Sequence, residues 1–365
     1  MEKKYCVVAK TAQAELRAME NLPNEVLNKI LPIVELTRGR KVTSKDKKTV
    51  TYPYDRLIER IKEIYRGCDI AFDVTSIESL SSPEIDELFN YEGGYSGWIK
   101  LLDSLNQDKS LNSIIPSVLL NYNDKNFEKN VKKEIQQLND RFPTIMFRYT
   151  MNNNEDGLED LKLISDNFPT EKELVVVVDC EYVPVASITT TIEACKKIVQ
   201  RVKVLLTNRN YRIVLISTTY PNNVAETNDE YEDDILLREI DLYEGVCKVH
   251  NDIIYGDYGT VNPKRNDNII MANGWLPKID VALPRKVYYK RRRRPKGVTA
   301  YSSTYQQVAK LATEDTRFPL NQIDIWGIRQ IVDCSMGSVP SSQPSFWISV
   351  RMNTHLCQQV LRLGL

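Results

Sequence analysis

Short apolar runs ending on a polar residue recur along the chain, each followed by a stretch of helical periodicity. Six stand out: LPIVEL at 31–36, DIAFDV at 69–74, SIIPSVLL at 113–120, TIMFRY at 144–149, LVVVVDC at 174–180 and RIVLIS at 212–217. A run at 5–9 ahead of them and DIIYGDYG at 252–259 behind them raise the number to about eight. A strand covered on both faces has no solvent side against which to alternate, so it reads as continuous Val, Ile and Leu. Helical stretches between such strands imply βα units around a parallel sheet. Eight units predict an α/β fold, a (β/α)8 TIM-barrel-like domain with loop insertions after the second, third and seventh strands.

The helical stretches carry their own signatures. Leu57, Ile58, Ile61, Ile64 and Tyr65 share one face, and Gly67 stands where a helix C-cap belongs. Ile192, Cys195, Ile198, Val199 and Val202 form a second stripe over 188–206. Further helices are expected near 12–19, 98–105, 126–138 and 157–167, and over ILLREIDLYEGV at 235–246. Residues 37–51 form a polar insertion rich in Lys and Arg, and 222–234 an acidic loop. The last third breaks the rhythm. KVYYKRRRR at 286–294 reads as a strand entering a basic turn, and 345–363 as a segment that starts strand-like and ends as an amphipathic helix. With no internal repeat and no low-complexity linker, residues 1–365 are expected to form a single domain with an elaborated C-terminal third.

Composition narrows the function classes. Forty-nine basic and forty-nine acidic side chains give a formal net charge of zero, which argues against a surface built as a whole to bind polyanions, although a local patch stays possible. No apolar run reaches the ~20 residues of a membrane helix. MEKKYCVVAK at the N-terminus lacks the apolar core of a signal peptide, so the cytoplasm is the expected location. Seven scattered cysteines without a CxxC pair speak against a zinc cage or a disulfide framework. Only two histidines, His250 and His355, are available to any imidazole mechanism.

Particular residues resemble a known group. Lys10 followed by Glu15 and Ala18, the NLPNE helix start at 21–25 and the strand ILPIVEL at 30–36 are similar to the opening of the bacterial and phage beta family proteins. LLREIDLYEGV at 236–246, YGDYG at 255–259 and WISVRMNTHL at 347–356 fit the same family in the same order. One position departs: the family ending implies two adjacent histidines, and here Thr354 precedes His355. The resemblance implies a barrel-like α/β protein of phage genomes and bacterial mobile or antiviral defence loci, and it implies no particular reaction.

If the strands close a barrel, their carboxyl ends converge on one mouth. They place Lys10, Glu35, Asp73, Asn121, Arg148, Asp179, Thr218 and Asp257 there, with Tyr258 beside them. A lysine and an arginine among carboxylates suit a small anionic, phosphate-bearing ligand, or acid–base chemistry on one, with Lys10 and Arg148 as anion holders and Lys10, Asp179 and Asp257 as the catalytic candidates. The plainer explanation is that strand ends must meet water. Glu35, Asp73 and Asp179 are alternative ligands for Mg²⁺, but none sits in a DxD or DxN spacing, so no metal site is assigned. Arg351, Asn353 and His355 form a second polar set, or else pack the helix that bears them. Lys290, Arg291, Arg292, Arg293 and Arg294 could grip a nucleic-acid backbone, with Tyr288 and Tyr289 to stack on bases, or be a solvated tip offset by the acidic loop. A protein partner from a phage or defence system remains the alternative to a ligand, and no membrane contact is expected.

Overall fold

A computed structural model describes residues 5–45, 48–151, 156–222, 231–263 and 275–365. Its strands are β1 (Tyr5–Lys10), β2 (Ile30–Leu36), the short hairpin β3 (Val42–Thr43) and β4 (Val50–Thr51), β5 (Asp69–Val74), β6 (Ser113–Pro116), β7 (Thr144–Thr150), β8 (Glu173–Tyr182), β9 (Tyr211–Thr218), β10 (Glu232–Leu236), β11 (Ile254–Asp257), β12 (Lys278–Leu283) and β13 (Lys286–Arg291). The helices are α1 (Gln13–Glu20), α2 (Asn24–Leu27), α3 (Asp55–Ile64), α4 (Pro83–Asp86), α5 (Ser96–Asn106), α6 (Phe127–Asn139), α7 (Asp156–Asn167), α8 (Ile188–Leu205), α9 (Glu239–Cys247), α10 (Ser302–Thr313), α11 (Trp326–Ser335) and α12 (Pro344–Arg362).

Eight strands run parallel in the order β6-β5-β2-β1-β11-β9-β8-β7. The two ends of that row meet through a parallel bridge between Ser117 and Met146 and the bond from Val118 N–H to the Met146 carbonyl at 2.9 Å. The sheet is therefore a nearly closed barrel. The seam is thin for a chemical reason. Successive backbone N–H groups alternate sides: that of Ser117 turns to Phe72 on β5 and that of Val118 to β7. By the same alternation Pro116 faces β7, where it has no N–H to donate.

Alternation along each strand sorts side chains into a lumen and an outer layer. Cys6, Val8, Leu31, Ile33, Ala71, Ile115, Met146, Val175, Val177, Val214, Ile216 and Tyr258 fill the lumen. Their strand neighbours, such as Tyr5, Val7, Val34, Phe72 and Val176, meet the surrounding helices in the main core. Gly256 on β11 lies so close to β9 that a Cβ there would meet Ile216 Cγ1 at 2.6 Å.

The C-terminal third adds an antiparallel sheet, β10-β13-β12, with α10 and α11 packed against it around Tyr288, Tyr305, Ile328 and Trp347. Two expectations change here. Residues 235 and 236, read as the start of a helix, pair instead with Val287 and Lys286 of β13, and the helix begins at Glu239. Residues 345–350 are helical from the outset, with Pro344 in the first turn of α12. Their continuous apolar run looks strand-like because this helix is buried nearly all round: Trp347 and Val350 enter the second core while Met352, Leu356 and Val360 enter the main one. Much of the acidic loop, residues 223–230, lies outside the described residues.

Candidate ligand site at the barrel mouth

Register brings the first three candidates to one level. Lys10 pairs with Glu35 and Glu35 with Asp73 on β1, β2 and β5. Arg148 comes from β7 across the lumen, and Asp179 from β8 beside it. The Arg148 guanidinium donates from Nη1 to Glu35 Oε2 at 2.8 Å and to Asp73 Oδ2 at 3.0 Å. Its Nε donates to Asp179 Oδ2 at 2.8 Å, and its Nη2 lies 2.9 Å from the Tyr258 hydroxyl and 2.7 Å from Asp179. Tyr258 in turn donates to Asp179 Oδ2 at 2.6 Å. Four hydrogen bonds thus direct the guanidinium at acceptors inside the protein.

This arrangement redistributes the expected roles. Arg148 is the counter-charge that holds three carboxylates together, placed where a bound cation would otherwise sit between them. Among the described residues, no group of three or more His, Cys, Asp or Glu side chains is arranged to hold a metal ion. Burial on its own would raise the Glu35 carboxyl, but Lys10 and Arg148 overturn that and hold it at about 2. For Asp73 burial prevails over Arg148, with Glu35 adding repulsion, and its pKa is raised.

Lys10 differs from Arg148. Its side chain is 6% exposed, yet among the described residues its ammonium forms no hydrogen bond. It stands 4.0 Å from Glu35 Oε1 and 5.4 Å from the centre of the Tyr258 ring. Glu35 Oε1 is itself buried without a hydrogen-bond partner. Behind Lys10, burial lifts the Glu15 carboxyl to about 7 despite the lysine's attraction. A cleft of about 170 Å³ opens over these groups, lined among others by Ser76, Ser117, Tyr122, Arg148, Glu181 and Tyr258. Glu181 sits at an irregularity in β8, in left-handed backbone (φ 52°), and its N–H donates to Asp179 Oδ1 at 2.8 Å. Such strain in a non-glycine residue is uncommon away from sites that use it.

The other candidates lie elsewhere. Asp257 points out of the barrel, where it accepts hydrogen bonds from Tyr5 (2.9 Å), Tyr255 (3.0 Å) and the Gly259 N–H (2.8 Å) and meets His355 Nε2 at 2.8 Å. Burial opposes its ionisation, but His355 and these donors keep its pKa lowered. Asp257 and His355 thus tie β11 to α12 behind the barrel wall. Arg351 bonds Tyr220 and Asp280, each at 2.9 Å, and Asn353 bridges the Ala18 carbonyl and the Gly327 N–H. Lys290 is paired with Glu232 and Asp315, and Arg291 is 7% exposed. Arg292 and Arg294 lie over Tyr231 and Tyr301, which leaves Arg293 as the exposed member of the run. Tyr288 and Tyr289 are buried. Ser76 and Tyr122, which the sequence did not single out, lie two residues beyond β5 and six beyond β6, in the loops that shape the rim.

Comparison with known proteins finds relatives over nearly the whole chain. The profile of the family described as Beta protein matches residues 5–361. Protein beta of Enterobacteria phage P4 is 25% identical over 364 residues, which cover 98% of this chain and 92% of that protein. No solved structure matches it. No helix among the described residues is long and apolar enough to cross a membrane.

Proposed function

Because the chain belongs to the Beta protein family, with a phage relative similar to it nearly end to end, we propose that it acts in phage–host conflict through a ligand site at the barrel mouth. The ligand presents one anionic group, a phosphate or a carboxylate, to Lys10. One observation carries this reading: a buried ammonium at the floor of an open cleft, without an acceptor among the described residues. The ammonium has Glu35 only as an ion-pair partner at 4.0 Å; leaving such a donor without a hydrogen bond costs about 1–3 kcal/mol or more for a charged group, and a ligand oxygen removes that cost. Arg148, already engaged by Glu35, Asp73, Asp179 and Tyr258, organises the carboxylates and does not grip the ligand.

The local charge limits the ligand. Lys10 and Arg148 bring two positive charges and Glu35, Asp73 and Asp179 three negative ones, so a chain of phosphates is disfavoured against a single phosphate or carboxylate. A bound anion favours the protonated forms of Asp73 and Glu15, whose pKa values are already raised. Binding is therefore coupled to proton uptake, and affinity falls as pH rises through neutrality. Titration calorimetry with inorganic phosphate, sugar phosphates and small carboxylates, for the native protein and Lys10→Met, tests this. Binding that weakens with pH and is lost in Lys10→Met supports the reading. Equal binding by the two proteins, or no binding across the panel, overturns it.

A further inference from the structure

The mouth cleft does not end at Lys10. It continues past Ser76, Phe89, Leu120 and Tyr122 into an outer groove of about 520 Å³ whose wall includes Glu78, Asp86, Asn121 and Asn123. Tyr122 stands between the two chambers and borders both. It is 61% exposed yet held at two points: its ring stacks on Phe127 with centroids 5.4 Å apart and planes at 17°, and its hydroxyl donates to Asp160 at 2.7 Å. A fixed, exposed aromatic ring beside carboxylates and amides is the usual requirement for holding a hydroxyl-bearing ring, since its face covers ring C–H groups while the polar neighbours take the hydroxyls.

From this continuity, and resting on the reading of Lys10 given above, we propose that the two chambers together bind a sugar carrying one anionic substituent, with that substituent at Lys10 and the sugar ring against Tyr122. The two anchors are independent. Lys10 is a nearly buried charge without a hydrogen-bond partner among the described residues, and Tyr122 is an oriented surface ring on a different loop. The carboxylates of the outer groove, Glu78 and Asp86, accept from sugar hydroxyls and repel additional phosphates, which selects a monophosphate or a sugar acid over a polyphosphate chain.

The test measures affinities for glucose 6-phosphate, ribose 5-phosphate, glucuronate, glucose and inorganic phosphate with the native protein, Lys10→Met, Tyr122→Ala and Tyr122→Phe. The expected result is that Tyr122→Ala weakens binding of at least one sugar anion roughly five- to ten-fold, the range of a lost aromatic contact. It leaves inorganic phosphate unaffected, and Tyr122→Phe stays within about two-fold of the native protein because the ring is retained. Lys10→Met weakens sugar anions and inorganic phosphate together. If Tyr122→Ala binds every sugar anion as the native protein does while Lys10→Met binds none, the outer groove is not a sugar site although the Lys10 reading stands. If no anion binds the native protein, both fall.

Discussion

Glu239, at the start of α9, is 1% exposed and does not line the mouth cleft, so replacing it tests the electrostatics of the fold without removing a cleft-lining side chain. Its Oε2 accepts from the Thr219 backbone N–H and hydroxyl, while Oε1 is buried without a partner. Burial raises its pKa from 4.5 to about 7, against the hydrogen bonds from Thr219. A carboxyl raised in the folded state binds its proton more tightly there than when unfolded. Its contribution therefore favours folding at low pH and is lost as pH climbs from 4.5 through about 7. Integrating between pH 5 and 8.5 gives a loss of about 2.5 kcal/mol at ~1.36 kcal/mol per unit. Glu239→Gln keeps an oxygen for Thr219 and cannot ionise, so its stability should lack that share of the pH dependence. The assay is urea unfolding of both proteins at half-unit pH intervals. The variant's stability relative to the native protein should rise by about 2.5 kcal/mol from pH 5 to 8.5, whatever the cost of burying the amide. With an unfolding entropy of ~2.1 cal/mol/K per residue, this corresponds to roughly 3 °C in relative Tm. A stability difference that stays constant with pH would refute the reasoning.

Three further outcomes follow from the same geometry. Arg148→Met leaves Asp73 and Asp179 without their counter-charge and Glu35 with Lys10 alone and should cost about 3–5 kcal/mol at pH 7 in urea unfolding, with part of the loss recovered at pH 5 as protons relieve the repulsion; an equal loss at both pH values would exclude a charge origin. Gly256→Ala should cost about 1–3 kcal/mol as Ile216 is displaced, and clearly less in an Ile216→Ala background, which removes the contacting Cγ1, whereas the same cost in both backgrounds would mean that the contact is not the cause. Leu356→Ala, at a fully buried position of α12, should cost about 2–5 kcal/mol and protect fewer β11 amides from hydrogen exchange; unchanged protection there would show that α12 does not secure that strand.

The barrel could be read from the sequence because buried parallel strands leave an unbroken apolar trace, and all eight fall where such traces occur. The convergence of Lys10, Glu35, Asp73, Arg148 and Asp179 could be read for the same reason, since each stands at or next to the carboxyl end of its run. Asp257 shows the limit. It ends its strand as the others do, but side chains alternate, and Gly256 and Tyr258 are the residues that face the lumen. A shift of one residue in facing exchanges mouth for wall, and a four-residue strand with two glycines about it offers too little pattern to fix that facing. The helical start of α12 was hidden differently: a helix buried between two cores has no polar face to mark its period. Tyr122 left no trace at all, because a rim loop has no periodicity and only its three-dimensional neighbours give it a role.

The position of α12 constrains how the molecule can be made. The outer face of β1 and β11, where Tyr5, Tyr255 and Asp257 converge, is completed by His355 and Met352 of that helix. During synthesis the eighth strand emerges from the ribosome well before the helix that covers it. In that interval a nearly finished barrel exposes an apolar stripe and an uncompensated carboxylate, a surface open to chaperones, proteases or a second nascent chain. Completion of the fold is thus timed by translation of the C-terminal third, and a codon or temperature change that slows this stretch should lower the yield of folded protein without altering its final stability.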